Sequence, residues 1–271
     1  MSNFQRQGES MRRLCILLFT LLVVLTACNG GPAGGGAEQS NSPIEWDRSA
    51  ATVVFRAEVR GGQYEGTFLA RNEIPPCTVY GDNRVVWTTE VGGGITQVLY
   101  DQVTDERLRD FVTYLAVNEQ FYTYTAGMDT LPPSSVSPVV ETLTLFVNGD
   151  NRHTDALGGW NIDYYERLLT SCRSVGLEPT VFEPDAGWLS AQLVAYDSSA
   201  PLIVWDANAA GLSFGELATS GERRWITGNL VRVIWNTLRQ SPYTVRFDEG
   251  DSQYQVALEI PGITRDAQPA P

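Results

Sequence analysis

Pro76-Cys77-Thr78-Val79-Tyr80-Gly81-Asp82-Asn83-Arg84-Val85-Val86-Trp87 sets two β-rich runs on either side of a Gly-Asp-Asn turn, which commits this part of the chain to an antiparallel hairpin. A second hairpin is expected at residues 143–150, where Asn148-Gly149 supplies the positive φ of a tight turn. Upstream, residues 52–60 end in apolar and charged residues alternating at the two-residue period of a half-exposed strand, and Gly61-Gly62 stops them. Helices separate the strands. Thr104 is placed to cap one whose first turn holds Asp105 and Glu106, with Leu108, Phe111, Val112 and Leu115 on its apolar side. A second, over residues 163–175, puts Tyr165, Leu168, Leu169 and Cys172 on one face. The expected fold class is therefore α+β: antiparallel sheets with hairpins, each packed by one or two helices.

The second half repeats this grammar. Strands are expected at residues 188–196, 202–205, 243–247 and 254–260, a short helix after Ser213, and one long helix over residues 222–239. In that long segment Ile226, Leu230, Val233, Ile234 and Leu238 recur at helical spacing before Ser241-Pro242. Glu178-Pro179 and Glu183-Pro184 mark the best boundary, giving two subdomains of similar architecture, residues 45–178 and 179–263, and a loose tail at residues 264–271.

Residues 1–27 carry Arg12 and Arg13 followed by an uncharged apolar run from Leu14 to Leu25, the basic and apolar regions of a secretory signal. The run is shorter than the ~20 apolar residues that cross a bilayer as a helix. It closes with Leu25-Thr26-Ala27-Cys28, which resembles the lipobox of bacterial lipoproteins. That resemblance implies cleavage before Cys28 and two acyl chains, such as palmitate, on the mature terminus, a stable anchor where one chain binds marginally. The alternative is an ordinary signal peptide that leaves a free thiol. Residues 28–44, rich in Gly, Ser and Pro, read as a flexible tether. The expected location is the extracytoplasmic face of the cell membrane.

Cys15 leaves with the signal and Cys28 takes the lipid, so Cys77 and Cys172 remain to form one disulfide; two buried thiols are the other reading. The formal net charge is −13, and removal of the leader takes three arginines and a single acid, so the body is more acidic still. Such a surface disfavours nucleic acid and anionic head groups. All 19 basic residues are arginine, which excludes Schiff-base chemistry and a phosphate-loop lysine.

The span from about Val53 to Val175 resembles a group of uncharacterised exported bacterial proteins, many of them lipoproteins, that share a Tyr-Gly-Asp-Gly hairpin followed by a helix. Here the motif stands as Tyr80-Gly81-Asp82-Asn83, with Asn in the final position because it tolerates the left-handed conformation. The resemblance implies an exported location and brings no activity with it.

Catalytic signatures are sparse. His153 is the single histidine and no Gly-x-Ser-x-Gly elbow accompanies it, so an exposed strand position is expected rather than a triad. The turns at residues 148–151 and 248–251 lack the ligand spacing of a calcium loop, and neither Gly-x-Gly-x-x-Gly nor a Walker sequence occurs. Neither a metal nor a cofactor is expected. Trp87, Trp160, Trp188, Trp205, Trp225 and Trp235 read as core, with any exposed subset suited to stacking on sugars or peptides. The function expected is a surface binding or interaction module whose partners are the membrane, through Cys28, and an envelope protein or glycan. An extracytoplasmic carboxylate hydrolase and a structural subunit of an envelope complex are the alternatives.

Overall fold

A computed structural model describes residues 44–92, 95–128 and 138–271. The leader, Cys28 and the tether up to residue 43 lie outside the described residues, as do Gly93 and Gly94. The fold is α+β. Its elements are β1 (Val53–Arg60), a 3₁₀ turn at Leu69–Asn72, β2 (Cys77–Tyr80), β3 (Arg84–Glu90), β4 (Thr96–Gln102) and α1 (Asp105–Thr113). Then come β5 (Val140–Val147), β6 (Asp150–Asp155), α2 (Tyr164–Arg173), β7 (Thr180–Val181), β8 (Ala186–Val194) and β9 (Leu202–Val204). The chain closes with α3 (Ala207–Ala210), α4 (Phe214–Ser220), β10 (Arg224–Thr227), α5 (Asn229–Arg239), β11 (Arg246–Glu249) and β12 (Ser252–Glu259).

Local chemistry builds most of these as expected. Asn83 takes φ 70° at the first hairpin, and Asn148 and Gly149 take 52° and 75° at the second. The Thr104 hydroxyl accepts from the Arg107 amide at α1, and Ser213 accepts from Glu216 at α4. The long helix expected over residues 222–239 is instead a strand followed by a helix. Gly228, at φ 70° and ψ −144°, breaks the segment, and Arg224–Thr227 pairs with β8, where Trp225 faces Trp188. Ile226 satisfies either period, and tertiary pairing decides.

Seven strands form one sheet in the order β6-β5-β1-β2-β3-β4-β7, antiparallel throughout. Five form the second, β10-β8-β12-β11-β9, where β9 joins β11 in parallel. Successive residues of the large sheet point to opposite faces, and two cores result. Val79, Val85 and Leu99 pack with α1 and α2 in the first, while their neighbours Tyr80, Val86 and Val98 belong to the second. That second core also takes Leu189 and Val256 from the small sheet, Phe214 and Leu217 from α4, and Val231, Ile234 and Trp235 from α5.

The expected boundary at residues 178/179 therefore falls inside a body. Ile44–Pro271 is one compact unit, because one face of the large sheet is a wall of the second core and β7 continues that sheet past the boundary. Nor does a loose tail begin at residue 264, since Thr264 is buried and the Arg265 side chain is 6% exposed.

Cys77 and Cys172 lie at disulfide distance, with Cα atoms 6.3 Å apart, joining β2 to α2 inside the first core, where both are fully buried. Gly81 is required by a close approach: a Cβ there would stand 1.9 Å from the Asp47 carbonyl oxygen. The incoming segment is held at that point by the Trp46 indole, which donates to the Gly81 carbonyl, and by the Gly81 amide, which donates to Thr52.

Candidate functional site

β1 carries Phe55 and Ala57 toward the first core, so Arg56 and Glu58 project from the opposite face. The second core covers that face at β2, β3 and β4. Over β1 it is covered by the segment that follows β12, and between sheet and segment lies a cavity of about 440 Å³. Arg56, Tyr80 and Arg84 form its polar side on the sheet, and Thr264 and Arg265 line it from the covering segment. Ala50, Ala51, Val53, Pro261, Ala267 and Pro269 give it small apolar walls.

The three polar residues differ in how they are engaged. Asp82 holds Arg84 at 2.7 Å through Nε, the Ala50 carbonyl accepts from Nη2 at 2.6 Å, and the guanidinium lies 4.5 Å over the Tyr80 ring. The Tyr80 hydroxyl is buried beside Arg56 and Thr78 without forming a well-aligned hydrogen bond. Burial pushes its phenol above the ordinary value, against the pull of Arg56 and Arg84. Arg56 donates to the Arg265 carbonyl at 3.4 Å, its Nε is buried without a partner, and no carboxylate lies within ion-pair distance of it among the described residues. The Tyr-Gly-Asp part of the hairpin motif thus builds one edge of the cavity: Tyr80 faces it, Gly81 admits the incoming segment, and Asp82 orients Arg84.

The covering segment is anchored beside the cavity. Arg265 meets Glu58 at 3.1 Å, Glu65 at 3.1 Å and Glu73 at 2.6 Å, and Arg60 joins Glu65 at 2.8 Å. Burial holds the Glu73 carboxyl above its ordinary value although Arg265 opposes this. Three carboxylates do converge here, as a hydrolase would require, but the two guanidinium groups occupy the space between them. Farther along, the Trp188 indole donates to the Pro269 carbonyl at 2.9 Å.

The remaining expectations resolve into structural roles. His153 sits partly exposed on β6, its Nδ1 3.3 Å from the Thr144 hydroxyl. Asn148 accepts from the Glu45 amide through Oδ1, and Glu249 accepts from the Phe214 amide and the Ser213 hydroxyl at the start of α4. Both acidic turns are thereby engaged with protein groups. Among the described residues no group of three or more His, Cys, Asp or Glu is placed to hold a metal ion. Trp87 and Trp235 are core, Trp160 and Trp205 pack against the two cores, and Trp188 and Trp225 form an edge-to-face pair 5.1 Å apart across β8 and β10.

Sequence reasoning did not single out Arg56, and it read Tyr80 only as part of the hairpin motif. The available signal was the alternation of β1, which sends Arg56, Glu58 and Arg60 to one face, but which face is later covered is not a local property. A scan of protein-family models and searches of curated proteins and solved structures give no match to this chain.

Proposed function

We propose that this is a membrane-tethered, extracytoplasmic binding module whose ligand site is the cavity between β1, β2 and the segment after β12. The observation that carries this reading is the cavity itself, about 440 Å³, which sets Arg56, without a carboxylate in ion-pair distance among the described residues, and Arg84 against small apolar walls. The cavity size lies within the range of small-molecule sites. Arginine and tyrosine at an apolar cavity bind and orient, and neither histidine nor paired carboxylates project into it, so binding is favoured over hydrolysis. The anchor rests on Leu25-Thr26-Ala27-Cys28, and a mature chain starting at Cys28 with added lipid mass is the result expected from intact-mass measurement of membrane extracts.

Thermal unfolding against panels of small metabolites, peptides and glycans tests the binding reading. A ligand of the native state at a hundred times its Kd adds about 2.7 kcal/mol of stability. At least one small-molecule class is expected to raise the midpoint, and Ala51→Trp, which fills the cavity from its wall, is expected to abolish that rise. A rise that survives Ala51→Trp would place the ligand elsewhere.

A further inference from the structure

We infer that Trp188 and Trp225 form a docking surface for an extended, proline-bearing segment of a partner protein, and that residues 268–271 of this chain occupy that surface in cis. The assignment stands apart from any ligand of the cavity.

Strand register builds the surface. Leu189 and Ile226 enter the second core, so Trp188 and Trp225, one residue earlier in each strand, point from the opposite face of β8 and β10. Both remain partly exposed, with their rings edge to face at 5.1 Å. Glu259 stands beside Trp188 on β12 and Arg223 meets it at 3.1 Å, so the row next to the rings carries a compensated pair rather than a free charge. Two rings with an indole donor and no uncompensated charge beside them suit an uncharged, extended backbone whose carbonyls accept, the chemistry of a proline-rich segment.

The occupant seen in the structure is of that kind. The Trp188 indole donates to the Pro269 carbonyl at 2.9 Å. In Gln268-Pro269-Ala270-Pro271 each proline fixes its own φ and biases the residue before it to extended backbone, so the segment is extended before it docks. Neither proline has an N–H to give to a strand ladder, which leaves carbonyls and rings as the means of recognition. Residues 268–271 are exposed, and among the described residues the Trp188 bond is the one hydrogen bond tying them to the rest of the protein. A segment held by one bond on a partly exposed aromatic pair can be replaced by another of the same chemistry. The Arg265 clamp a few residues earlier gives the cis segment an effective concentration on the order of mM, so a partner must outcompete a tethered rival.

The full chain, labelled with nitrogen-15, is titrated with a capped peptide of alternating proline and alanine and with a capped glycine-serine peptide of equal length. The indole signals of Trp188 and Trp225 are assigned by their loss in Trp188→Phe and Trp225→Phe. The proline-alanine peptide is expected to shift both signals saturably, and the glycine-serine peptide to leave them in place. Pro269→Gly combined with Pro271→Gly loosens the cis rival in an exposed segment, and is expected to tighten the proline-alanine peptide about fivefold. Trp225→Ala, read at Trp188, is expected to weaken it about tenfold; the proline variant and the peptide pair keep the question answerable should Trp225→Ala fail to fold. Equal binding of the two peptides overturns recognition of proline. An affinity unchanged by the double glycine variant overturns the assignment of residues 268–271 as the cis occupant. Indole signals that stay in place with the proline-alanine peptide, in both the native chain and the double glycine variant, overturn the docking surface itself.

Discussion

Arg265 and Glu73 meet twice: the Arg265 amide donates to the Glu73 carbonyl at 2.9 Å, and its guanidinium reaches the Glu73 carboxylate at 2.6 Å. The same guanidinium donates to the Val59 carbonyl and pairs with Glu58 and Glu65, so one side chain fastens the segment after β12 to β1 and to the loop before β2. Removing it leaves Glu58, 8% exposed at its side chain, facing two other carboxylates with Arg60 alone to offset them. Breaking a buried pair by deleting one partner costs about 3–5 kcal/mol. Arg265→Ala is therefore expected to lower the urea unfolding free energy by about 3 kcal/mol, and a change below about 1 kcal/mol would show that the cluster is not what holds the segment.

Two carboxylates are expected to respond to pH in opposite directions. Burial holds Glu73 above its ordinary value of 4.5, so the fold favours its protonated form. Its contribution is fully present below 4.5 and is lost as pH rises through the raised pKa. Glu119 is lowered chiefly by its hydrogen bonds from Arg167, at 2.8–3.1 Å, so its contribution is present above 4.5 and is lost as pH falls through the lowered pKa. The stability of the native chain relative to Glu73→Gln is thus expected to decline as pH rises from about 4.5. Relative to Glu119→Gln it is expected to decline as pH falls below that point. Chemical denaturation between pH 3.5 and 7 reads both slopes, and parallel curves for the two variants would contradict the assignment.

The Cys77–Cys172 bond closes a loop of 95 residues between β2 and α2. In the chain-entropy account, a loop of that length stabilises by about 4–5 kcal/mol through the unfolded state. Replacement of both cysteines by alanine should lower stability by about that amount. A thiol assay on oxidised native protein should find neither residue reactive, and recovery of two free thiols would remove the bond from the account.

What was legible in the sequence was local. The Asn83 and Asn148-Gly149 turns, the Thr104 and Ser213 caps and the inward face of Cys172 are each set by residues within a few positions, and each stands where the pattern placed it. What was not legible joins distant residues. Arg56 and Arg265 are separated by 209 positions, and an arginine on an alternating strand reads as solvent-facing until something covers it. The parallel β9–β11 pair and the continuation of the first sheet into β7 likewise come from contacts with no turn between them. The single helix expected over residues 222–239 failed for a related reason: Trp225-Ile226-Thr227 suits both periods, and its partner β8 lies more than thirty residues earlier.

Asn72 exemplifies such long-range construction. β11 pairs with β12 only as far as Tyr254, so the β12 edge beyond it lacks a strand partner. The Asn72 side chain fills that place: its amide donates to the Val256 carbonyl at 2.9 Å and its oxygen accepts from the Leu258 amide at 2.9 Å, as a strand neighbour would. Asn72 is itself 5% exposed, and its own carbonyl accepts from Arg239, whose buried guanidinium is lowered to about 10 by desolvation. Asn72→Ala would leave a buried donor and a buried acceptor unsatisfied at once, each costing about 1–3 kcal/mol. The expected loss is about 3 kcal/mol, larger than for an ordinary turn asparagine. Hydrogen exchange gives the sharper check, because the Leu258 amide should lose protection in this variant while amides bonded between β8 and β12 keep theirs. Equal loss along the whole strand would mean that Asn72 supports the sheet globally rather than closing its edge.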